Sequence, residues 1–405
     1  MLQISGVKLN DNNLRFDFLA TPQIIFGQGR FETIKEYLTT FGTKILVVGS
    51  KRALDQPIIK DVFSILTLKS GFEFETVIIH GEPDTEQIDA GVQIGSQQNA
   101  SSVVGIGGGS AIDAGKAIAA LLTNGGKAKD YMEVIGKGMN IIKPPLPFIA
   151  VPTTAGTGSE VTKNAVILSK EDKLKASIRS PLLVPKIAII DPELMVSLPK
   201  EITAYTGLDA LTQLIEAYTS NKSQPLTNAL ARIGILRASK SLIFAYENSK
   251  DIEAREDMAM AAMLSGICLS NAGLGAVHGL AGPIGGMLNI PHGLICGALL
   301  LPVINVNIGT MLLQVPYPET LLKYAQLGEL FGGLEFEPLK IQVIHLVKQL
   351  EFLIKSLHIA KLSDYGLKEN KFEEIISRAQ LSSSMKYNPV KLTDDDLYRI
   401  LTKAL

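Results

Sequence analysis

A chain of 405 residues, 46% hydrophobic and 20% charged, has ample material for buried cores, and at ~100–200 residues per domain it reads as two domains. Lys+Arg 39 against Asp+Glu 40 leaves a formal net charge of −1, which argues against nucleic acid or an anionic membrane as partner but still allows a local phosphate site. The two cysteines, Cys268 and Cys296, stand in apolar surroundings without a short Cys-x-x-Cys spacing, and read as buried thiols of a reducing compartment.

The opening MLQISGVKLNDNNLRF lacks a basic start followed by an apolar run, so no secretory leader is expected and the localisation reads as cytoplasmic. From residue 16 onward short β-branched runs alternate with amphipathic segments. Strands are expected at 44–48, 76–79, 102–106, 148–151 and 187–190, with helices such as 31–39 and 88–99 between them. That alternation predicts a parallel sheet covered on both faces, with ligands at the carboxyl ends of its strands.

Three strand ends carry candidate cofactor residues. After 44–48 comes Gly49-Ser50-Lys51-Arg52, where an acid would hold an adenosine ribose and repel a 2′-phosphate. Ser50 between these neighbours admits the phosphate and tilts the expectation from NAD to NADP; the plainer reading is a solvated turn. After 102–106 come Gly107, Gly108, Gly109 and Ser110, a backbone open to a diphosphate, with Ser110 and Asp113 read as a capping pair that starts a helix. The alternative there is a tight turn with no ligand. After 148–151 the hydroxyls of Thr153, Thr154, Thr157 and Ser159 alternate with glycines and can address ribose and nicotinamide edges, although many surface loops look alike.

Past Asp191-Pro192 long helices are expected at 201–220, 225–246, 252–271, 294–308, 320–330, 341–357, 371–379 and 394–404. The chain thus divides into an α/β dinucleotide-binding domain, 1–195, and a helical metal- and substrate-binding domain, 196–405. The apolar run 294–306 is shorter than a bilayer span and carries Pro302. Asp209 and Gln213 share a helix face, and Asp209 among apolar neighbours needs either a metal or an N-cap role. His278 and His292, two of five histidines, flank what reads as a tight glycine bend within NAGLGAVHGLAGPIGGMLNIPHG. Converging on one ion, Asp209, His278 and His292, with Gln213 as a fourth donor through its amide oxygen, would form a catalytic site that polarises a substrate oxygen. The plainer reading has each histidine packed against its own helix.

The stretches 107–116 (GGGSAIDAGK), 152–162 (PTTAGTGSEVT), 175–192, 206–218 and 275–293 together resemble the iron-containing (group III) alcohol dehydrogenases over nearly the whole chain. The resemblance implies an α/β N-terminal domain and an all-α C-terminal domain, the fold shared with dehydroquinate synthase. It also implies NAD(P)-dependent oxidation of a small alcohol or reduction of an aldehyde in the cleft between them, and at least a homodimer. It places Gly107, Gly108 and Ser110 on the diphosphate, Thr153, Thr154 and Lys175 near the nicotinamide ribose, and Asp209, His278 and His292 on a divalent metal. Two positions depart from it: Gln213 and Gly282 stand where the family has histidines. Glutamine is the weaker ligand, which leaves Fe²⁺ or Zn²⁺ open, and the loss at 282 removes a proton-relay group. Beside the metal-dependent dehydrogenase stand two alternatives, a metal-free reductase of an activated carbonyl such as an oxo acid, and an inactive NAD(P)-binding sensor.

Overall fold

The computed structural model describes residues 15–405 other than 21, 173, 289, 315, 317 and 333–336. In chain order the strands are β1 (Gln23–Phe26), β2 (Lys44–Gly49), β3 (Glu73–Ile78), β4 (Ser102–Gly107), β5 (Phe148–Pro152), β6 (Asn164–Ser169), β7 (Leu174–Arg179) and β8 (Ile187–Ile190). All but β6 and β7 join one parallel sheet ordered β1-β8-β5-β4-β2-β3, while β6 and β7 form an antiparallel hairpin. Between them run α1 (Ile34–Phe41), α2 (Lys51–Leu54), α3 (Pro57–Ser70), α4 (Thr85–Gln98), α5 (Gly109–Asn124) and α6 (Ala128–Tyr131).

The two-residue period of a strand explains the double covering. On β2, Leu46 and Val48 join the core beneath α4 and α5, while Ile45 and Val47 join the core on the opposite face with α1 and α3. The expected strands all form, and β1 and the β6–β7 hairpin are added to them.

The strand order positions the ligand site. From β2 the chain moves outward to β3, whereas from β4 it moves to β5 on the other side, so the direction of winding reverses between β2 and β4. The crevice outside the carboxyl ends of two such strands is where open α/β sheets bind ligands. Gly49 is paired in register with Ile106, which sets the residues after both strands side by side.

The second half is helical: α7 (Lys200–Thr219), α8 (Pro225–Glu247), α9 (Ile252–Ala272), α10 (Ala276–Leu288), α11 (His292–Leu312), α12 (Glu319–Gly332), α13 (Leu339–Ser356), α14 (Phe372–Gln380) and α15 (Asp394–Ala404). Its core reaches the sheet through Ala188 and Ile190 of β8. The glycine-rich stretch between the two histidines is the helix α10 rather than the expected bend. At Gly279 a neighbour approaches closely, since a Cβ there would come within 2.9 Å of Met385 Cε. Pro302 lies inside α11, which runs on to Leu312, beyond the expected 308. By length and a mean hydropathy of 1.8 this helix would suffice to cross a membrane, but 72% of its apolar window is buried inside the fold.

The loop after β5 is pressed onto the helical half. Gly158 adopts φ 61°, and a Cβ there would stand 2.5 Å from Ala262 O on α9, so glycine is required on both steric and conformational grounds.

Candidate active site

Ser50 follows β2 and caps α2, its Oγ accepting from the Ala53 N–H at 3.3 Å. The Arg52 guanidinium donates to the Ser197 carbonyl. A Cβ on Gly107 would lie 3.4 Å from Ser50 Oγ, so the ends of β2 and β4 are in contact. Helix α5 begins at Gly109 with Gly108 as its N-cap and no side-chain cap. The expected capping pair of Ser110 and Asp113 does not form, because Ser110 already lies inside the first turn. By position, the N–H groups of Gly109 and Ser110 have no intrahelical acceptor and no capping side chain covers them.

Asp113 turns inward. Ser159 Oγ donates to its Oδ1, Val166 N donates to its Oδ2 at 2.9 Å, and Lys116 Nζ lies 3.1 Å from Oδ1. Lys116 donates further to Ser159 O at 2.8 Å, Thr162 Oγ1 at 2.9 Å and Asn164 O at 2.6 Å. The polar atoms of Asp113 and Ser159, read from sequence as facing a cofactor, are therefore engaged in tying α5 to the segment leading into β6. Beside them Glu160 is buried, and that burial pushes its carboxyl up to about 7 despite the nearby Lys116 charge.

The glycine and hydroxyl loops pack on each other. A Cβ on Gly109 would stand 2.7 Å from Thr157 Oγ1, and one on Gly108 would stand 3.3 Å from Thr154 Oγ1. Buried Thr153 donates its N–H to Gly107 O at 2.9 Å. The structure thus gathers Ser50, Gly107, Gly108, Gly109, Ser110, Thr153, Thr154 and Thr157 at three adjacent strand ends. Lys175 comes from β7, pairs with Glu82 at 2.9 Å, and has its Nζ 4.0 Å from where a Gly285 Cβ would stand on α10.

On α7, Asp209, Gln213 and Glu216 occupy positions i, i+4 and i+7 of one buried face. Asp209 lies mid-helix, which removes the N-cap alternative. His278 sits in the first turn of α10 and His292 opens α11. His278 Nδ1 donates to Glu216 Oε2 at 2.6 Å, and Glu216 Oε1 accepts from Val277 N at 2.7 Å. The clamp aims His278 Nε2 at Asp209 Oδ1, 3.2 Å away, with His292 Nε2 3.7 Å from the same oxygen. Cys296 Sγ lies 3.7 Å from His278 Nε2 and 3.6 Å from His292 Nε2. A lone pair on Nε2 facing a carboxylate needs a cation between them, either a proton or a metal ion.

The charge balance follows from that requirement. Burial opposes charge on all three groups. It is outweighed at Asp209 by the His278 hydrogen bond and the charge of His292, which hold the carboxyl below its usual range. At His278 the interactions with Cys296 and Glu216 and the Asp209 hydrogen bond raise the imidazole well above its usual value. At His292 the interactions with Cys296 and Asp209 raise it to about 8. Ser265 Oγ donates to Gln213 Oε1 at 2.8 Å and lies 3.4 Å from Gly156 O, linking this centre to the hydroxyl loop.

The family profile described as iron-containing alcohol dehydrogenase matches residues 21–192, and that of the Fe-containing alcohol dehydrogenase family, C-terminal, matches residues 203–405. The chain belongs to the iron-containing alcohol dehydrogenase family. It is 38% identical over 324 residues to alcohol dehydrogenase 4 of Saccharomyces cerevisiae, covering 80% of each chain. It is 33% identical over 404 residues to the NAD-dependent methanol dehydrogenase of Bacillus methanolicus, covering 96% of this chain and 100% of that one. Among solved structures, that of a 1,3-propanediol oxidoreductase superposes with TM-score 0.89 at 30% identity, covering 96% of this chain and 100% of that one.

As an iron-containing alcohol dehydrogenase relative the chain is an oxidoreductase by family, with its own variations at the centre. Gln213, where the sequence resemblance leads one to expect a histidine, has its oxygen engaged by Ser265. Gly282, the other position where the resemblance leads one to expect a histidine, leaves open space, since nothing lies within 4 Å of a Cβ built there. Sequence reasoning missed Glu216 and Cys296. The signals were present: Glu216 is seven residues after Asp209, and Cys296 four after His292, spacings that bring side chains to one helix face.

Proposed function

We propose that this family member is a metal-dependent alcohol dehydrogenase or aldehyde reductase, transferring hydride between NAD(P) and a small alcohol or aldehyde. The observation that carries the reading is the convergence of Asp209, His278 and His292, joined through Gln213 and Ser265 to the hydroxyl loop. One carboxylate and two imidazoles whose free donor atoms face one another suit a divalent ion. Bound here, such an ion supplies Lewis-acid polarisation of a hydroxyl or carbonyl oxygen, and a nicotinamide dinucleotide on the two loops supplies the hydride chemistry.

The protein's own part is to hold and orient. Glu216 fixes the His278 ring through Nδ1 and leaves Nε2 for the ion. The uncovered first turn of α5 offers N–H groups to a diphosphate, with Thr153 and Thr154 beside it. At the adjacent strand end Ser50 keeps its hydroxyl hydrogen free to donate, and no acid stands there to repel a 2′-phosphate, so NADP is preferred over NAD. Methanol and 1,3-propanediol in the names of relatives support a small alcohol as substrate. Assembly as a homodimer, with no nucleic acid or membrane partner, belongs to the same reading. The Asp209→Ala variant is expected to lose turnover while NADPH binding, followed by nucleotide fluorescence, is retained; a variant with normal turnover contradicts the metal-dependent mechanism.

A further inference from the structure

The position that holds a histidine in the family holds Gln213 here, and its oxygen accepts from Ser265 at 2.8 Å. Another donor stands at the same centre. Cys296 lies one helical turn beyond His292 on α11, fully buried, with its sulfur 3.6 Å from His292 Nε2 and 3.7 Å from His278 Nε2. Asp209 Oδ1 lies 3.2 Å from His278 Nε2 and 3.7 Å from His292 Nε2, and the four donor atoms are all within 4.8 Å of one another. A tetrahedral ion with bonds of ~2.0–2.1 Å to nitrogen and oxygen and ~2.3 Å to sulfur separates neighbouring donors by roughly 3.3–3.6 Å. The four measured contacts already have close to that spacing.

Resting on the metal-dependent reading above, we infer that Cys296 is the fourth metal ligand, bound as a thiolate in place of the histidine that Gln213 has replaced, and that this donor set selects zinc over ferrous iron. Thiolate is a soft donor that suits zinc, and zinc stands above ferrous iron in the affinity order of divalent metals. Binding releases the thiol proton to solvent along with any protons on the two imidazoles. The other cysteine provides an internal control, because Cys268 Sγ is directed at Thr227 O, 3.5 Å away.

The test is titration of the chelator-depleted full chain with Co²⁺, recording absorption, followed by zinc affinity from chelator competition. The inference expects a sulfur-to-cobalt charge-transfer band in the near ultraviolet for the parent, Cys268→Ser and Gln213→Ala proteins, and its loss in Cys296→Ser and Cys296→Ala. Zinc affinity should fall at least ~100-fold in the Cys296 variants, beyond the ~10–100-fold typical of residues that only orient a ligand. One cobalt bound to the parent without that band, or an affinity loss that follows Gln213→Ala instead, overturns the role of Cys296 and leaves the metal-dependent reading standing. A parent protein that binds neither cobalt nor zinc overturns both. Because the chain has two cysteines, a band retained in Cys268→Ser assigns the sulfur to Cys296 even if the Cys296 variants fail to fold.

Discussion

Glu216 Oε2 accepts from His278 Nδ1 at 2.6 Å while its other oxygen accepts from the Val277 N–H, so one carboxylate sets both the ring orientation and the entry of α10. Such a partner fixes the tautomer that leaves Nε2 available to a metal. Glu216→Ala is expected to weaken zinc binding by ~10–100-fold, measured by chelator competition, while NADPH affinity stays within error. Unchanged metal affinity would mean that the clamp is purely structural.

Ser50 decides cofactor choice in this account. Ser50→Asp sets a negative charge against a 2′-phosphate and offers acceptors to the free ribose hydroxyls. The KM for NADPH should rise roughly tenfold or more, since ~1.4 kcal/mol is a factor of ten, with the KM for NADH unchanged or lower. A variant whose NADPH to NADH preference does not move would place the adenosine elsewhere.

The contact between the glycine and hydroxyl loops is steric. A Cβ on Gly109 would meet Thr157 Oγ1 at 2.7 Å and Cγ2 at 2.8 Å, too close for either to remain in place. Gly109→Ala should lower stability by about 1–3 kcal/mol, the usual cost of overpacking, and weaken NADPH binding. Adding Thr157→Ala should restore part of both. Additive losses in the double variant, read from thermal midpoints, would show that the loops do not couple.

Much of this arrangement is legible in the sequence, for definite reasons. The strands at 44–48, 102–106 and 148–151 are apolar runs that end in glycine, proline or hydroxyl residues, so both the sheet and its ligand-bearing edge can be read directly. The hairpin β6–β7 is harder to see. Leu-Lys-Ala-Ser-Ile-Arg alternates weakly, and its partner strand is held partly by the buried Asp113 carboxylate through Val166 N, a long-range contact that no local pattern announces. Glycines misdirect at α10, where they sit inside a helix instead of a bend, Gly279 tight against Met385 and Gly282 beside open space. At Asp113 and Ser159 the sequence does not show the contacts to Val166 and Lys116 that engage their polar atoms, because Val166 is distant from Asp113, and Lys116 from Ser159, along the chain. Cys296 in an apolar run reads as core, and only the fold brings His278 and Asp209 to it.

The buried Glu160 gives a pH signature. Its folded value of about 7 lies above the ordinary 4.5, so the folded state holds the proton more tightly than the unfolded chain. The resulting stabilisation is complete below about pH 4.5 and is lost as pH rises toward 7. At ~1.4 kcal/mol per unit this amounts to about 3–4 kcal/mol. Glu160→Gln should therefore gain stability relative to the parent between pH 5 and pH 8. Parallel thermal-midpoint profiles for the two proteins would contradict the assignment.

The central claim is that Asp209, His278 and His292 hold a divalent ion on which turnover depends. Elemental analysis of protein purified without added metal, before and after chelation and with aldehyde reduction followed in parallel, tests it most directly. About one zinc or iron per chain is expected, as a single catalytic site holds, lost together with activity and restored with it on adding the metal back. No bound metal with undiminished activity would contradict it, and would mean that this chain activates its carbonyl by hydrogen bonds alone.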